Sequence, residues 1–166
     1  MSFFETINEA IEDEGRDLKI KIGEKIVISQ DISFSVSYDY LLLEGDFSFN
    51  LSEFNNITSE EFPNLSDAHI YFKRIKELCK YTFSELSDNN VFQIIQPNKT
   101  LREIIGHIFD KKISAEQTPP FLEIRLYTNK NSNKAPRVFG FIGSCGIVYI
   151  LCYDPFHQIY NKTGKI

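Results

Sequence analysis

The residues best suited to chemistry are concentrated near the end of the chain, in the segment YDPFHQIY and on the strands predicted before it. Asp154, His157 and Tyr160 follow one another closely there, and Arg125 and Arg137 lie in the two preceding strand patterns. Arginine can stabilise a phosphorane-like transition state while histidine or tyrosine acts as acid and base, which allows RNA cleavage without a metal ion. The candidate catalytic residues are therefore Arg125, Arg137, His157 and Tyr160.

The same segment also fits a purely structural role, and we favour that interpretation. Asp154 followed by Pro155 is typical of a type I turn, in which Asp accepts hydrogen bonds from backbone amides and Pro restricts the next dihedral angle. Phe156 and Ile159 would then anchor the end of the chain. Because a single His beside such a turn is weak evidence for catalysis, we expect a turn here and a protein that is not an enzyme.

Motifs for other kinds of catalysis are absent from the sequence. It contains no G-x-S-x-G nucleophile motif and no glycine-rich phosphate loop of the Walker A or G-x-G-x-x-G type. The three His, at positions 69, 107 and 157, have no His partner four residues away, so no pair of metal ligands is indicated. We expect neither a metal ion nor an organic cofactor.

The loop TNKNSNKAPR, with three basic and no acidic residues, is the nearest that the sequence comes to a local basic patch. Lys130 and Lys134 could bind phosphate groups there. Together with Asp154, these two lysines are the candidate binding residues. The alternative is a solvated connection between two strands that is kept soluble by its charge, and we favour this alternative because so few charges make no large patch.

Length and charge limit the class of protein. The chain of 166 residues suits a single domain, 1–166, with a seam at 55–66 between an N-terminal helix plus β-meander and a C-terminal ααβββ half. A net charge of −5 disfavours nucleic acid and membrane surfaces as partners. The sequence has no long apolar run, no signal-peptide pattern and no C-x-x-C spacing among its three Cys, so we expect a cytoplasmic protein.

Hydrophobic periodicity predicts the elements of the first two thirds of the chain. A short helix is expected over 2–15, two short strands over 18–28, and a β-hairpin over 32–51 that turns at Gly45 and Asp46. A helix of about five turns should follow from Ser66 to 89–90, because apolar residues recur at helical spacing. The segment VFQIIQP predicts a brief strand, and TLREIIGHIF predicts a helix with Thr100 as its cap and Glu103 as the capping-box partner.

The last third of the chain predicts three strands, FLEIRLYT, RVFGFI and IVYILCY. A GSCG turn between the second and third places Gly140 opposite Tyr149 and Arg137 opposite Cys152, with Asp154 on the same face. The order of elements predicts an α+β fold, in which an antiparallel sheet is built from the N-terminal meander and the C-terminal three-strand meander and the helices pack on one face.

This C-terminal third resembles the RelE/ParE-type bacterial toxins, in which helices precede a three-strand meander whose last strand leads into the C-terminus. The segment RVFGFIGSCGIVYILCYDPFHQIY carries the resemblance, because its last strand runs into Asp, His and Tyr. The resemblance implies an antiparallel sheet with basic and aromatic residues acting on ribosome-bound or free RNA. Arg125, Arg137, His157 and Tyr160 are the positions to which it would assign those roles.

Taken together, these observations favour a bacterial protein that acts by protein binding, in a toxin-antitoxin or phage-defence locus. An acidic chain with a sheet edge and many aromatic residues can bind a basic partner. The first alternative is a metal-independent, RelE-like endoribonuclease. The second is a pocket between the sheet and the helices, lined by Phe and Tyr, that binds a small molecule.

Overall fold

The computed structural model describes residues 33–110, 112, 114, 118–143 and 146–160. The helix predicted over 2–15 and the strands predicted over 18–28 lie outside these residues. In chain order the elements are β1 (Ser35–Ser37), a 3₁₀ helix (Ser52–Asn55), α1 (Asp67–Leu78), β2 (Phe92–Ile95), α2 (Lys99–Ile108), β3 (Phe121–Arg125), β4 (Arg137–Ile142) and β5 (Ile147–Asp154).

The five described strands form one sheet in the order β1-β5-β4-β3-β2. Strands β2 to β5 pair in antiparallel fashion, as expected, whereas β1 runs parallel to β5. The α+β class is therefore confirmed, and the expectation of a purely antiparallel sheet is wrong because the sheet is mixed. Neither described helix has the length and apolar character that crossing a membrane requires.

The two helices pack on opposite faces of the sheet, which corrects the prediction that they share one face. Ile70 and Leu78 of α1 belong to a core with Val148 and Ile150 of β5. The opposite core contains Leu101 and Ile105 of α2 together with Phe121, Phe139, Tyr149 and Leu151 of the strands. Most residues of β4 and β5 are apolar and buried on both faces of the sheet, so both faces need a cover.

The hairpin predicted over 32–51 does not form as a ladder of two strands. The N–H of Leu42 instead donates to the carbonyl of Leu151 at 2.8 Å, and the N–H of Tyr153 donates to the carbonyl of Phe47 at 2.8 Å. Phe49 does lie against Leu42, through a 3.0 Å backbone hydrogen bond. The segment thus satisfies the edge of β5, which would otherwise expose its backbone groups.

The helix boundaries differ from the predictions at both helices. Helix α1 ends at Leu78 rather than at 89–90. Phe72, one of the apolar residues at helical spacing, is 58% exposed and does not belong to the core. Helix α2 is capped by Asn98, whose side chain accepts from the N–H of Leu101 at 3.0 Å, and not by Thr100. Asn and Thr both cap helices, so the segment NKT, residues 98–100, offers two possible caps. Its sequence alone did not determine at which residue the helix begins.

The pairing of β4 with β5 is shifted relative to the predicted register. Gly140 pairs with Ile150 instead of Tyr149, which is an offset of one residue on the turn side of the ladder. A bulge between Phe139 and Gly140 adds a second residue to the offset, so Arg137 pairs with Asp154 instead of Cys152. A Cβ atom on Gly140 would lie 2.6 Å from the carbonyl oxygen of Tyr149, so only glycine fits this close approach.

A candidate functional site along the edge of the sheet

A row of polar side chains crosses the face of the sheet that α2 covers only in part. Strand alternation places Gln93, Glu123, Arg125, Arg137 and Asp154 on this face, from the edge strand β2 to the central strand β5. Glu123 and Arg137 are each 5% exposed and Asp154 is fully buried. Buried charges of this kind require partners. Within the row, Oε1 of Glu123 lies 3.2 Å from a guanidinium nitrogen of each of the two arginines.

The four candidate catalytic residues meet at one cleft of about 660 Å³ on this face. Its lining is formed by Gln93, Ile94, Ile95, Gln96, Glu123, Arg125, Thr128, Ala135, Arg137, His157 and Tyr160. The structure therefore brings together Arg125, Arg137, His157 and Tyr160, which lie on two strands and on the segment after β5.

The guanidinium group of Arg137 is occupied by the protein itself. Its Nη1 donates to the carbonyls of Tyr127 at 2.9 Å and Pro136 at 3.0 Å, and its Nη2 donates to the hydroxyl of Thr128 at 3.3 Å. Its Nε lies 3.2 Å from Oε1 of Glu123, which is an ion-pair distance, although the N–H is not directed at an acceptor. Burial lowers the pKa of Arg137, and Glu123 opposes that shift. Arg137 therefore holds the connection between β3 and β4.

Arg125 differs from Arg137 because its side chain is 38% exposed. Its Nε donates to Oε1 of Glu123 at 3.2 Å, and its Nη2 donates to Oε1 of Gln93 at 2.9 Å. The same carboxylate oxygen of Glu123 thus lies at 3.2 Å from two arginines. Arg125 is the member of this charged row that a molecule outside the protein would meet.

The segment after β5 is a turn built on Asp154. Its carboxylate accepts from the N–H of Phe156 at 3.2 Å and from the N–H of Ile159 at 2.7 Å. His157 has a φ angle of +55°, in the left-handed region, and is half-buried. The turn at Asp154 and the buried side chain of Ile159 agree with the structural interpretation of the tail. The expectation that Phe156 also anchors the end of the chain is wrong, because Phe156 is 52% exposed.

Tyr160 and Asn98 connect the tail to the rest of the α2 face. The ring of Tyr160 stacks on Phe139 with 6.5 Å between ring centroids, and burial and then Glu123 raise the pKa of its hydroxyl. The side-chain amide of Asn98 donates to the carbonyl of Ile159 at 2.6 Å while it also caps α2. Sequence reasoning missed Asn98, and its only signal was its position just before a helical pattern.

The two lysines of the loop TNKNSNKAPR do not form one anion-binding group. Lys130 is exposed, whereas Lys134 points inward and its ammonium lies 3.5 Å from Oδ2 of Asp67 and bonds to the hydroxyl of Thr58. Asp67 is fully buried and accepts from the hydroxyls of Tyr127 and Tyr153, both at 2.5 Å. Asp67 was not among the predicted site residues, although it is the first residue of the helical pattern that forms α1.

A second cleft, of about 600 Å³, lies on the other side of strand β2. Its lining is more apolar at one end, where it includes Phe83, Leu86 and Phe92. Gln93, Ile94 and Arg125 line both clefts, so the two meet at β2. This edge strand therefore runs between a partly apolar cleft and a polar one.

The backbone of β2 presents hydrogen-bonding groups away from the sheet. The N–H of Arg125 donates to the carbonyl of Val91 at 2.7 Å, so antiparallel alternation directs the groups of Gln93 and Ile95 toward β3. The carbonyl of Phe92 and both backbone groups of Ile94 consequently face outward. Within the described residues, no strand pairs with this side of β2.

Comparison with models of known protein families, with curated protein sequences and with solved structures found no match to this chain. The described residues contain no group of three or more His, Cys, Asp or Glu side chains that could hold a metal ion. The two clefts and the strand between them are therefore the features of this chain from which we infer its function.

Proposed function

We propose that this chain is a non-enzymatic, cytoplasmic protein-binding module that accepts an extended segment of a partner protein as an additional strand on β2. The observation that carries the proposal is the outer edge of β2, where Ile94 presents its backbone N–H and carbonyl between two clefts. A bacterial toxin-antitoxin or phage-defence locus is the setting in which we expect this module to act.

Strand addition follows from the physical needs of both chains. A sheet edge presents unpaired N–H and carbonyl groups, and an extended peptide can pair with them while it places alternate side chains on the two faces. The two clefts lie where those side chains would enter. The net charge of −5 would also steer a basic partner toward the chain over long distances.

Protein binding is supported better than RNA cleavage. Arg137 would have to stabilise negative charge on a phosphate, but it is 5% exposed, and its Nη1 and Nη2 groups donate to two carbonyls and a hydroxyl. Asp154 is occupied by the backbone amides of the turn. The acidic chain also repels a polyanion. A small molecule would use one cleft, whereas a strand would use the exposed backbone and both clefts.

Ile94→Pro provides the test, because proline removes the outward N–H of β2 and leaves the bonds between β2 and β3 in place. The chain would be co-expressed with the products of the genes next to its own, and complexes would be isolated by affinity purification. We expect one neighbouring product to co-purify with the wild type and with the control Ile94→Val, which keeps the N–H. Ile94→Pro should lose at least nine tenths of that product.

The Ile94→Pro protein must first show an unchanged circular dichroism spectrum and a cooperative thermal transition. Retention of the partner by this folded variant would contradict strand addition at β2. Failure of every neighbouring product to co-purify with the wild type would contradict the proposal of a partner encoded in the same locus.

A further inference from the structure

We infer that the segment bound at β2 alternates apolar and acidic side chains, with a carboxylate directed at Arg125. This inference rests on the proposed strand addition and names the chemistry of the partner segment. It follows from what the two clefts offer on the two faces of the sheet.

The pleat of β2 determines which side chains of the partner meet which cleft. Phe92 and Ile94 point to the α1 face, where they join its core, and Ile95 joins the opposite core on the α2 face. An added strand continues the pleat, so its successive side chains also alternate between the faces. On the α1 face they would meet Phe83, Leu86 and Phe92, and apolar side chains suit those neighbours.

On the α2 face the partner would meet the amide of Gln93 and the guanidinium of Arg125. The other charged groups of the row, Glu123, Arg137 and Asp154, are 5%, 5% and 0% exposed, so the accessible charge is positive. Arg125 shares its carboxylate partner with Arg137, and its side chain remains 38% exposed. A partner carboxylate beside Arg125 would form charge-assisted hydrogen bonds with the guanidinium N–H groups that Glu123 and Gln93 leave unused.

Two other occupants of this edge fit these charges less well. A second copy of the chain would offer Gln93 and Ile95 from its own β2 to the α2 face, and neither is charged. The chain's own segment LKIKI, residues 18–22, alternates apolar residues with lysines, so a lysine would face Arg125. Charge complementarity therefore favours an acidic segment from a different protein, whatever the net charge of that protein is.

The test is selection from a displayed library of random linear peptides on four forms of the full chain: wild type, Arg125→Glu, Arg125→Gln and Ile94→Pro. Wild type should enrich peptides in which apolar residues alternate with Asp or Glu. Arg125→Glu should instead enrich Lys or Arg at the acidic positions, and Arg125→Gln should show no charge preference. Peptides selected on wild type should bind at least about tenfold more weakly to Arg125→Glu in fluorescence anisotropy.

Lys76→Glu is the matched control, because it makes the same change in net charge at an exposed position of α1. It should keep the acidic preference of the wild type. The inference is overturned, while strand addition stands, if the enriched peptides depend on the N–H of Ile94 but carry no acidic position. The same conclusion follows if Arg125→Glu selects the same peptides as the wild type. If wild type and Ile94→Pro enrich the same peptides, or wild type enriches none, both proposals fail.

Discussion

Asp67 connects three parts of the structure through one buried carboxylate. It lies at the start of α1, accepts from the hydroxyls of Tyr127 and Tyr153 at 2.5 Å each, and has the ammonium of Lys134 at 3.5 Å. Hydrogen bonds to a charged acceptor are stronger than neutral ones, and the buried site excludes water as a replacement. This one side chain thus joins α1, β5 and the loop between β3 and β4.

Asp67→Asn should lower the free energy of unfolding by about 3 kcal/mol, because the amide presents an N–H₂ group where two hydroxyls need an acceptor and Lys134 loses its counter-charge. The measurement is urea unfolding followed by circular dichroism. Asp88→Asn, at an exposed position, is the control and should change stability by less than about 0.5 kcal/mol. Equal effects of the two substitutions would show that the buried network contributes nothing specific.

Arg125 and Arg137 pair with each other across neighbouring strands, yet they differ in their roles. They lie directly opposite each other on β3 and β4 and share Glu123. Arg137 is nearer the sheet centre and binds the carbonyls of the β3–β4 connection, whereas Arg125 is beside the edge strand and remains accessible. Position in the sheet, and not residue type, separates the structural arginine from the one proposed to bind.

At the scale of elements, the bulge between β4 and β5 sets which residues share a face near the cleft. Arg137 pairs with Asp154 because of this irregularity, and Gly140 lies at its start. A side chain on Gly140 would collide with the carbonyl of Tyr149 at 2.6 Å. The glycine therefore permits the register that positions the polar row.

Gly140→Ala should lower the free energy of unfolding by about 2 kcal/mol, since the added methyl group meets backbone that cannot move without disturbing the ladder. Gly45→Ala is the comparison: its Cβ would meet nothing within 4 Å, and the expected cost of about 1 kcal/mol comes from its φ angle of +90° alone. Chemical denaturation of both variants decides the matter. A smaller loss for Gly140→Ala than for Gly45→Ala would contradict the role of the close approach.

At the scale of the whole molecule, the two-sided core contains tyrosines that must stay neutral in the folded state. Burial, followed by the hydrogen bond to Tyr38, raises the pKa of Tyr71 above its ordinary value near 10. Burial, followed by the hydrogen bond to Asp67, raises the pKa of Tyr153 in the same way. Below pH 10 both residues are protonated in the folded and in the unfolded chain, so they do not make the free energy of unfolding depend on pH.

Above pH 10 the unfolded chain loses these protons while the folded chain keeps them, so stability falls as the pH rises. Tyr71 and Tyr153 together should account for about 3 kcal/mol of the loss in the free energy of unfolding between pH 9 and pH 11. Burial also raises the pKa values of Tyr127 and Cys152, so these two groups add to the loss. Denaturant unfolding at the two pH values measures the difference. Tyr153→Phe should make the loss smaller by about 1.4 kcal/mol, and Tyr81→Phe, which changes a 39% exposed ring, should leave it as it is. A Tyr153→Phe protein with the full loss would contradict this account.

Local sequence patterns were enough to predict much of the fold. The apolar runs of the last third are strands β3, β4 and β5, and VFQIIQP contains β2, because strong strand formers between turn residues have few other conformations. Helices begin near 66 and 98 because polar caps precede an apolar periodicity. The turn at Asp154 was also predictable, since its bonds go to amides within five residues of it.

The sequence by itself determined the types of most of these elements, the acidic charge and the turn at the end of the chain, because each depends on residues close together in the chain. Only the tertiary structure decided that β1 pairs in parallel with β5, that the helices cover opposite faces and that Lys134 turns inward to Asp67. It also decided that Arg125 stays accessible while Arg137 does not. These features bring together residues that are far apart in the sequence. Many such contacts are possible, and the native arrangement is the one that buries both faces of the sheet and provides partners for its buried charges.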